Sequence, residues 1–374
     1  MADMGFIPES RAPRIIYEAA PVHNTLCSLC LLNQDHIDHI SPWVDETLAM
    51  LTPDEKRSAE LACNAAMLVG DSRAGSLAEF IAELRDRDPH ELVRIGFERV
   101  AEKADRYLEG PTPTAEALAH DRDRYLEVVR QLETMHDQEF DREQAAHDFA
   151  RMQNPHAYRD ELADTLEHFW NRYLCDEWER VRHDVTDSVE AFRSAPAPGG
   201  DLEERLKYVT GRDSVPRDWV DLLADAREIV YVPSVHIGPY MILFEFDGER
   251  AYIVGHARVP EGAKLRSPAL DRSELLMRLD ALSDATRMRV LELASAATIT
   301  TQDVMDELSL SQSSASRHLG QLAATGLLSV DGSERTKRYR VNPRRIEDVC
   351  AGLRHLVGAG APVDGRPGGR KETP

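Results

Sequence analysis

Long apolar runs are absent from this 374-residue sequence. No stretch reaches the roughly 18 apolar residues of a transmembrane helix, and the N-terminal segment lacks the apolar centre of a signal peptide. Cysteine is also scarce, because the chain has only five. An odd, sparse set of cysteines without a signal is typical of reduced thiols and not of a disulfide framework. We therefore expect a cytoplasmic protein that does not contact a membrane.

Positive charge is in short supply: 45 Lys and Arg stand against 66 Asp and Glu, for a net charge of −21. This balance excludes a globally basic nucleic-acid coat but allows a local basic patch. The deficit is uneven, since residues 271–357 hold twelve basic and twelve acidic residues. Within them, residues 311–345 hold seven basic residues against two acidic ones. An acidic body with one basic strip fits a protein that touches phosphates through one face.

Catalytic signatures are missing as well. The sequence contains no G-x-S-x-G, H-E-x-x-H or Walker pattern, and nothing in it assembles a nucleophile, a base and an orienting group. We therefore expect a protein that is not an enzyme and that needs no cofactor.

The spacing of apolar residues predicts a mainly α protein with small β hairpins. Residues 1–200 predict a helical domain that could bind an effector or form a dimer interface. Residues 201–270 predict a small α+β segment, and residues 271–357 a winged helix-turn-helix. The Gly- and Pro-rich residues 358–374 predict a disordered tail.

Within the first two of these domains, some elements can be predicted more closely. Residues 14–64 are interpreted as helices throughout, because apolar residues recur at steps of three or four. Short apolar runs at 229–232, 241–244 and 252–254 predict strands, with a hairpin turn at Asp247-Gly248 between the last two.

The C-terminal domain carries the most specific pattern. Residues 300–308 and 312–325 predict two helices joined by a tight turn, and Gly326 fits the left-handed position that closes the second helix. Residues 327–330 and 336–341 predict a β hairpin, which would form the wing. Ala315, Leu319 and Leu322 give the second helix a buried stripe. Its exposed face then carries Gln312, Ser313, Ser316, Arg317 and Gly320.

These residue types suit DNA recognition. Small polar side chains at a helix N-terminus allow close approach in the major groove, Gln can pair with an adenine edge, and the helix N-terminus attracts phosphate. Basic residues of the wing would supply salt-dependent contacts to phosphate or to the minor groove. The wing candidates are Arg335, Lys337, Arg338 and Arg340, and strand alternation means that not all four need face DNA.

Three separated blocks, LDALSDATRMRVLELA, LSQSSASRHLGQLAATGLL and KRYRV, resemble the winged-helix domain of ArsR-type bacterial transcription regulators. The resemblance covers about residues 273–345, roughly a fifth of the chain. It implies a homodimer that reads a two-fold symmetric operator in double-stranded DNA, usually as a repressor. It also implies that six residues lie in or near the major groove: Gln312, Ser313, Ser314, Ser316, Arg317 and His318. His318 has a second interpretation, as a packed or capping histidine.

The sequence departs from the metal-sensing members of that family. Their Cys-x-Cys pair is replaced here by TTQDVMDEL, and their Asp and His pairs on the last helix by RIEDVCAGLRHLV. Metal sensing at these two positions is therefore not expected. The N-terminal part also resembles a helical extension fused to some ArsR-like regulators, which implies a regulator but names no ligand. The resembling residues are Phe169, Trp170, Tyr173 and Trp178, then 232–234 and 238–240.

Other features allow two interpretations each. Cys27-x-x-Cys30 followed by His36-x-x-His39 could bind zinc, but its apolar helix favours cysteines that serve as small core residues. The aromatic residues at 169–178 are interpreted as core packing, with the lining of an unknown small-molecule effector pocket as the alternative. The loop at 233–239 is interpreted as a turn, with a binding role as the alternative.

For the whole chain, the alternative to a DNA-binding regulator is a helical enzyme or a scaffold that uses the winged helix for protein contact.

Overall fold

A computed structural model describes residues 12–33, 41–69, 72, 74–135, 140–244, 250–264, 267–331 and 337–358. The predictions for His36, His39, Asp247-Gly248, Arg335 and the tail from 359 lie outside these residues. The architecture is mainly helical with a small mixed sheet and a C-terminal winged helix-turn-helix, which confirms the predicted fold class. Within the described ranges, no helix is long and apolar enough to span a membrane.

The N-terminal part consists largely of helices. Their bounds are α1 Pro21–Leu31, α2 Pro42–Met50, α3 Pro53–Cys63, α4 Leu77–Asp86, α5 Pro89–Tyr107, α6 Ala115–His120, α7 Arg122–Met135, α8 Arg142–Met152, α9 Pro155–Phe169, α10 Cys175–Ser194, α11 Leu202–Thr210 and α12 Arg217–Ala224. A 3-10 turn, Asn64–Met67, follows α3, and a π-helical turn, Trp170–Leu174, joins α9 to α10.

Local capping chemistry fixes several of these helix starts. The Thr52 side chain accepts a hydrogen bond from the Glu55 N–H while the Glu55 side chain accepts one from the Thr52 N–H, so both ends of a capping box are formed. The Asp88 side chain caps α5, and Pro89 occupies its first turn.

Four strands form a sheet in the order β1-β2-β4-β3: β1 Arg14–Tyr17, β2 Glu228–Ser234, β3 Ile242–Phe244 and β4 Arg250–His256. β1 runs parallel to β2 and β2 parallel to β4, while β3 pairs antiparallel with β4. The three later strands confirm the predictions at 229–232, 241–244 and 252–254. The prediction of helix throughout 14–64 was wrong at 14–17, because this apolar run pairs with a strand more than 200 residues away.

Both faces of the sheet are buried, which accounts for the continuous apolar runs of β2 and β4. Val230 and Val254 pack on one face within the core of α1 to α9. Ile229 and Ile253 pack on the other face, in a second cluster with Phe192 of α10 and residues of α11 and α12.

The C-terminal elements follow the predicted order. Their bounds are α13 Pro268–Ser283, α14 Ala285–Ala296, α15 Thr301–Leu308, α16 Gln312–Ala324, β5 Leu328–Asp331, β6 Arg338–Val341 and α17 Pro343–Gly358. They share a core of their own, in which Val290, Val304 and Leu319 are fully buried. Ile299 forms an antiparallel bridge with Tyr339 on the side of β6 that faces away from β5.

Candidate nucleic-acid interface

The turn between α15 and α16 has the predicted tight geometry. Ser309 ends α15 in the left-handed conformation with φ 53°, and the Leu310 N–H donates to the Met305 carbonyl at 3.2 Å. The Ser311 side chain then accepts a hydrogen bond from the Ser314 N–H at 3.2 Å, which caps α16. Gly326 lies just beyond α16 with φ 75°, the left-handed position predicted for it.

Helix α16 presents one apolar and one polar face. Ala315, Leu319 and Leu322 are 0% exposed, so the predicted buried stripe is confirmed. The exposed residues of α16 are Gln312, Ser313, Ser316, Arg317 and Gly320. The first turn is therefore a polar surface outside the core, and it does not pack against the acidic body.

Two of the predicted major-groove residues lie differently. Ser314 is half-buried, and its hydroxyl accepts a hydrogen bond from the Ser311 hydroxyl at 3.0 Å. His318 is only 7% exposed and lies on the packed side of α16. In this position His318 is a packed histidine and is not available to a base edge.

A buried arginine supports α16 from behind, and sequence reasoning missed it. Arg287 of α14 is 1% exposed. Its Nη1 donates to Gln321 Oε1 of α16 at 2.8 Å, its Nε to the Ala281 carbonyl at 2.7 Å and its Nη2 to the Asp280 carbonyl at 3.0 Å. One guanidinium thus joins α16 to the end of α13. Its neighbour Arg289 is exposed, so residue type alone could not distinguish the two.

The wing carries two of its basic residues, Arg338 and Arg340, on one face. β5 and β6 pair Val330 with Tyr339 and Ser329 with Arg340. Tyr339 is buried in the core, so the alternating Arg338 and Arg340 lie on the opposite face, where both are exposed. Lys337 is exposed as well.

The wing also contacts the acidic body. Asp213, in the turn between α11 and α12, accepts hydrogen bonds from Ser329 Oγ at 3.1 Å and from Asn342 Nδ2 at 2.8 Å. Ser329 pairs across the hairpin with Arg340, and Asn342 follows Arg340 by two residues. Side chains at such positions share a face of the hairpin. The Asp213 carboxylate therefore lies on the same face as the candidate DNA-contacting arginines.

The remaining candidate residues are largely structural. Cys27 is 0% exposed in the core, as predicted for a small core residue, and burial raises its pKa well above the ordinary value. Phe169 is likewise fully buried, with Trp170 and Tyr173 packed against the same core and Trp178 half-buried.

The loop after β2 supplies a buried polar network that sequence reasoning also missed. His236 Nε2 lies 2.5 Å from Glu177 Oε1 of α10, and its Nδ1 lies 2.8 Å from Ser28 Oγ of α1. Asn24 Nδ2 donates to the Pro233 carbonyl at 2.6 Å. All these side chains are buried, so the network fastens the loop to two helices.

An exposed polar recognition helix beside a basic wing defines the class as a winged helix-turn-helix domain. Residues 282–331 match an ArsR-like family described as a helix-turn-helix domain, and a domain of this kind indicates DNA binding. The match covers a small part of the chain and leaves the large N-terminal region outside it. No curated protein and no solved structure matches the chain.

Proposed function

We propose that the protein is a sequence-specific transcription regulator that binds a two-fold symmetric operator as a homodimer and acts as a repressor. The observation that carries the proposal is the polar, exposed N-terminal face of α16 held rigidly over a buried core. In winged helix-turn-helix proteins this element enters the major groove. Arg338 and Arg340 would then contact the phosphate backbone, where contacts fix orientation without reading sequence. His318 is left out of the proposed DNA-contacting set because it is buried.

Exposed apolar residues support the dimer. Leu276 of α13 is 50% exposed, and Leu356 and Val357 of α17 are 42% and 73% exposed. The two helices pack against each other, since a Cβ on Gly352 would lie 3.0 Å from Leu275 Cδ1. These exposed side chains lie on two helices that pack together, so the proposal places a protein contact there. A second copy of this chain, joined through α13 and α17, would place two copies of α16 at a fixed separation.

The test is selection of bound fragments from genomic DNA by the purified protein, followed by binding measurements with single variants. Arg317→Ala and Gln312→Ala should each weaken binding to the selected sites by about 1–3 kcal/mol, the usual cost of losing a base contact. The matched control is Arg289→Ala, because Arg289 is exposed on α14, where it pairs with Glu292. Affinity unchanged in both α16 variants, or no enrichment of any fragment, would contradict the proposal and favour a scaffold.

A further inference from the structure

A groove of about 640 Å³ runs along the free edge of the sheet. β1 is the edge strand, and the N–H groups of Arg14 and Glu18 donate toward β2, to the carbonyls of Arg227 and Tyr231. Because peptide groups alternate along a strand, those of Ile15 and Tyr17 point away from β2, into the groove. The opposite wall is the end of α10 and the loop that follows it.

Three arginines from three different elements line this groove. They are Arg14 of β1, Arg193 of α10 and Arg205 of α11, and among the described residues that line the groove the only acidic one is Glu18. Arg14 pairs with Glu228 at 2.8 Å, and Arg193 pairs with Glu190 at 2.8 Å. Arg205 instead donates to the Pro13 carbonyl at 2.8 Å and has no ion pair in the part of the chain that the structure describes. Such a concentration of positive charge is unexpected in a body that is strongly acidic.

The same groove has an aromatic wall. The half-buried Tyr17 ring faces it and stacks on the buried Phe192 ring behind, with centroids 4.9 Å apart. Burial raises the pKa of Tyr17 to about 12, so its phenol is neutral and adds no negative charge. The lining thus combines fixed positive charge, outward-pointing peptide N–H groups and the Tyr17 ring.

We propose that this groove binds a small organic anion, with its acidic group held by Arg205 and Arg193 and its apolar body against Tyr17. The volume lies within the roughly 300–1,000 Å³ of small-molecule sites. A guanidinium suits an acidic group because it presents several donors in a plane. A peptide strand fits less well, since Arg193 Nη2 already donates to the Tyr17 carbonyl at 3.0 Å and so interrupts the edge.

The groove is connected to the DNA-binding domain, and a regulatory role for it rests on the proposed function. Helix α11 carries Arg205 and ends at Gly211. The Gly211 carbonyl accepts from Arg345 of α17 at 3.5 Å, and Asp213 accepts from the wing. A ligand that moves α11 would therefore move the turn that holds the wing.

The test uses 8-anilinonaphthalene-1-sulfonate, an aromatic anion whose fluorescence rises on binding, with the full-length protein. We expect saturable binding to the wild type and at least tenfold weaker binding to Arg205→Gln and to Arg193→Gln. The matched control is Arg217→Gln, because Arg217 is exposed on α12 outside the groove. Thermal unfolding would verify that each variant is folded. The uncharged analogue N-phenyl-1-naphthylamine should bind the wild type at least tenfold more weakly than the sulfonate.

Equal affinity of the wild type and both groove variants for the sulfonate would overturn the proposal. Equal binding of the charged and uncharged probes would overturn it as well. Neither measurement involves DNA. Failure to bind DNA would refute the proposed function, while the fluorescence result would still show whether the groove binds an organic anion.

Discussion

At the scale of single residues, the winged helix depends on Arg287. A buried charge is costly unless it is hydrogen-bonded, and Arg287 donates to three acceptors, one from each of its three nitrogens. Arg287→Lys keeps the charge but loses the planar fork, so some of those acceptors become unsatisfied. We expect the free energy of unfolding to fall by about 2–4 kcal/mol, measured by urea denaturation. Arg289→Lys, at an exposed ion pair, should change it by less than about 0.5 kcal/mol. If Arg287→Lys and Arg289→Lys lowered the free energy of unfolding equally, the hydrogen bonds of Arg287 would not be what stabilises the domain.

Two buried histidines make stability depend on pH. Burial lowers the pKa of His23 and of His256 from 6.5 to about 4. The unfolded chain takes up these protons near pH 6.5 and the folded chain only near pH 4. Stability is therefore full above pH 6.5 and is lost as the pH falls toward 4, by roughly 3 kcal/mol for each histidine.

The melting temperature, followed from pH 7.5 to 4.5, measures this loss. His23→Phe should flatten the profile, because the new ring can keep the stack on Tyr252, whose centroid lies 3.8 Å from that of His23. His183→Phe, at an exposed position of α10, is the control and should leave the slope unchanged. If His23→Phe left the change of melting temperature with pH unaltered, burial of His23 would not be a cause of the pH dependence.

At the scale of elements, the turn between α11 and α12 contacts the wing. Asp213 holds Ser329 and Asn342 on the face that carries Arg338 and Arg340. Its carboxylate opposes the approach of phosphate to that face. Asp213→Ala should therefore raise affinity for DNA about two- to fivefold at moderate salt, a size typical of exposed charge interactions. Fluorescence anisotropy would measure this, with Asp225→Ala at the end of α12 as the charge-matched control. A loss of affinity would mean instead that Asp213 orients the wing for binding.

The elements differ in how far their sequence determined them. The winged helix could be predicted because its signals are local. They are a serine cap, an apolar stripe at steps of four and three, and a glycine just after the helix, which adopts φ 75° in the structure. β1 could not be predicted, because a four-residue apolar run fits a helix or a strand and its partner β2 begins at residue 228. The exposed face of α16 followed from periodicity. The burial of His318 depends on how α14 packs behind it, which no local pattern encodes.

At the scale of the whole molecule, the charge distribution limits how the chain can approach DNA. The body is strongly acidic, while the exposed cations of the wing and of α16 lie at one end of the sequence. Electrostatic attraction of this kind falls steeply with salt. We therefore expect a single winged helix attached to an acidic body to bind DNA weakly. Two copies that bind together double the contacts without adding positive charge to either chain, which gives the exposed apolar residues of α13 and α17 a functional reason.

This reasoning predicts that dimer formation and DNA binding fail together. Leu356→Glu places a charge in the proposed interface, so at micromolar concentration the protein should change from dimer to monomer by analytical ultracentrifugation. Its affinity for the selected DNA should fall by at least tenfold. Met50→Glu is the matched control, because Met50 is 61% exposed on α2 of the helical body and should leave both properties unchanged. A wild type that is monomeric at these concentrations, or a Leu356→Glu variant that remains dimeric, would place the interface elsewhere. A monomeric variant with undiminished affinity would instead show that one winged helix suffices.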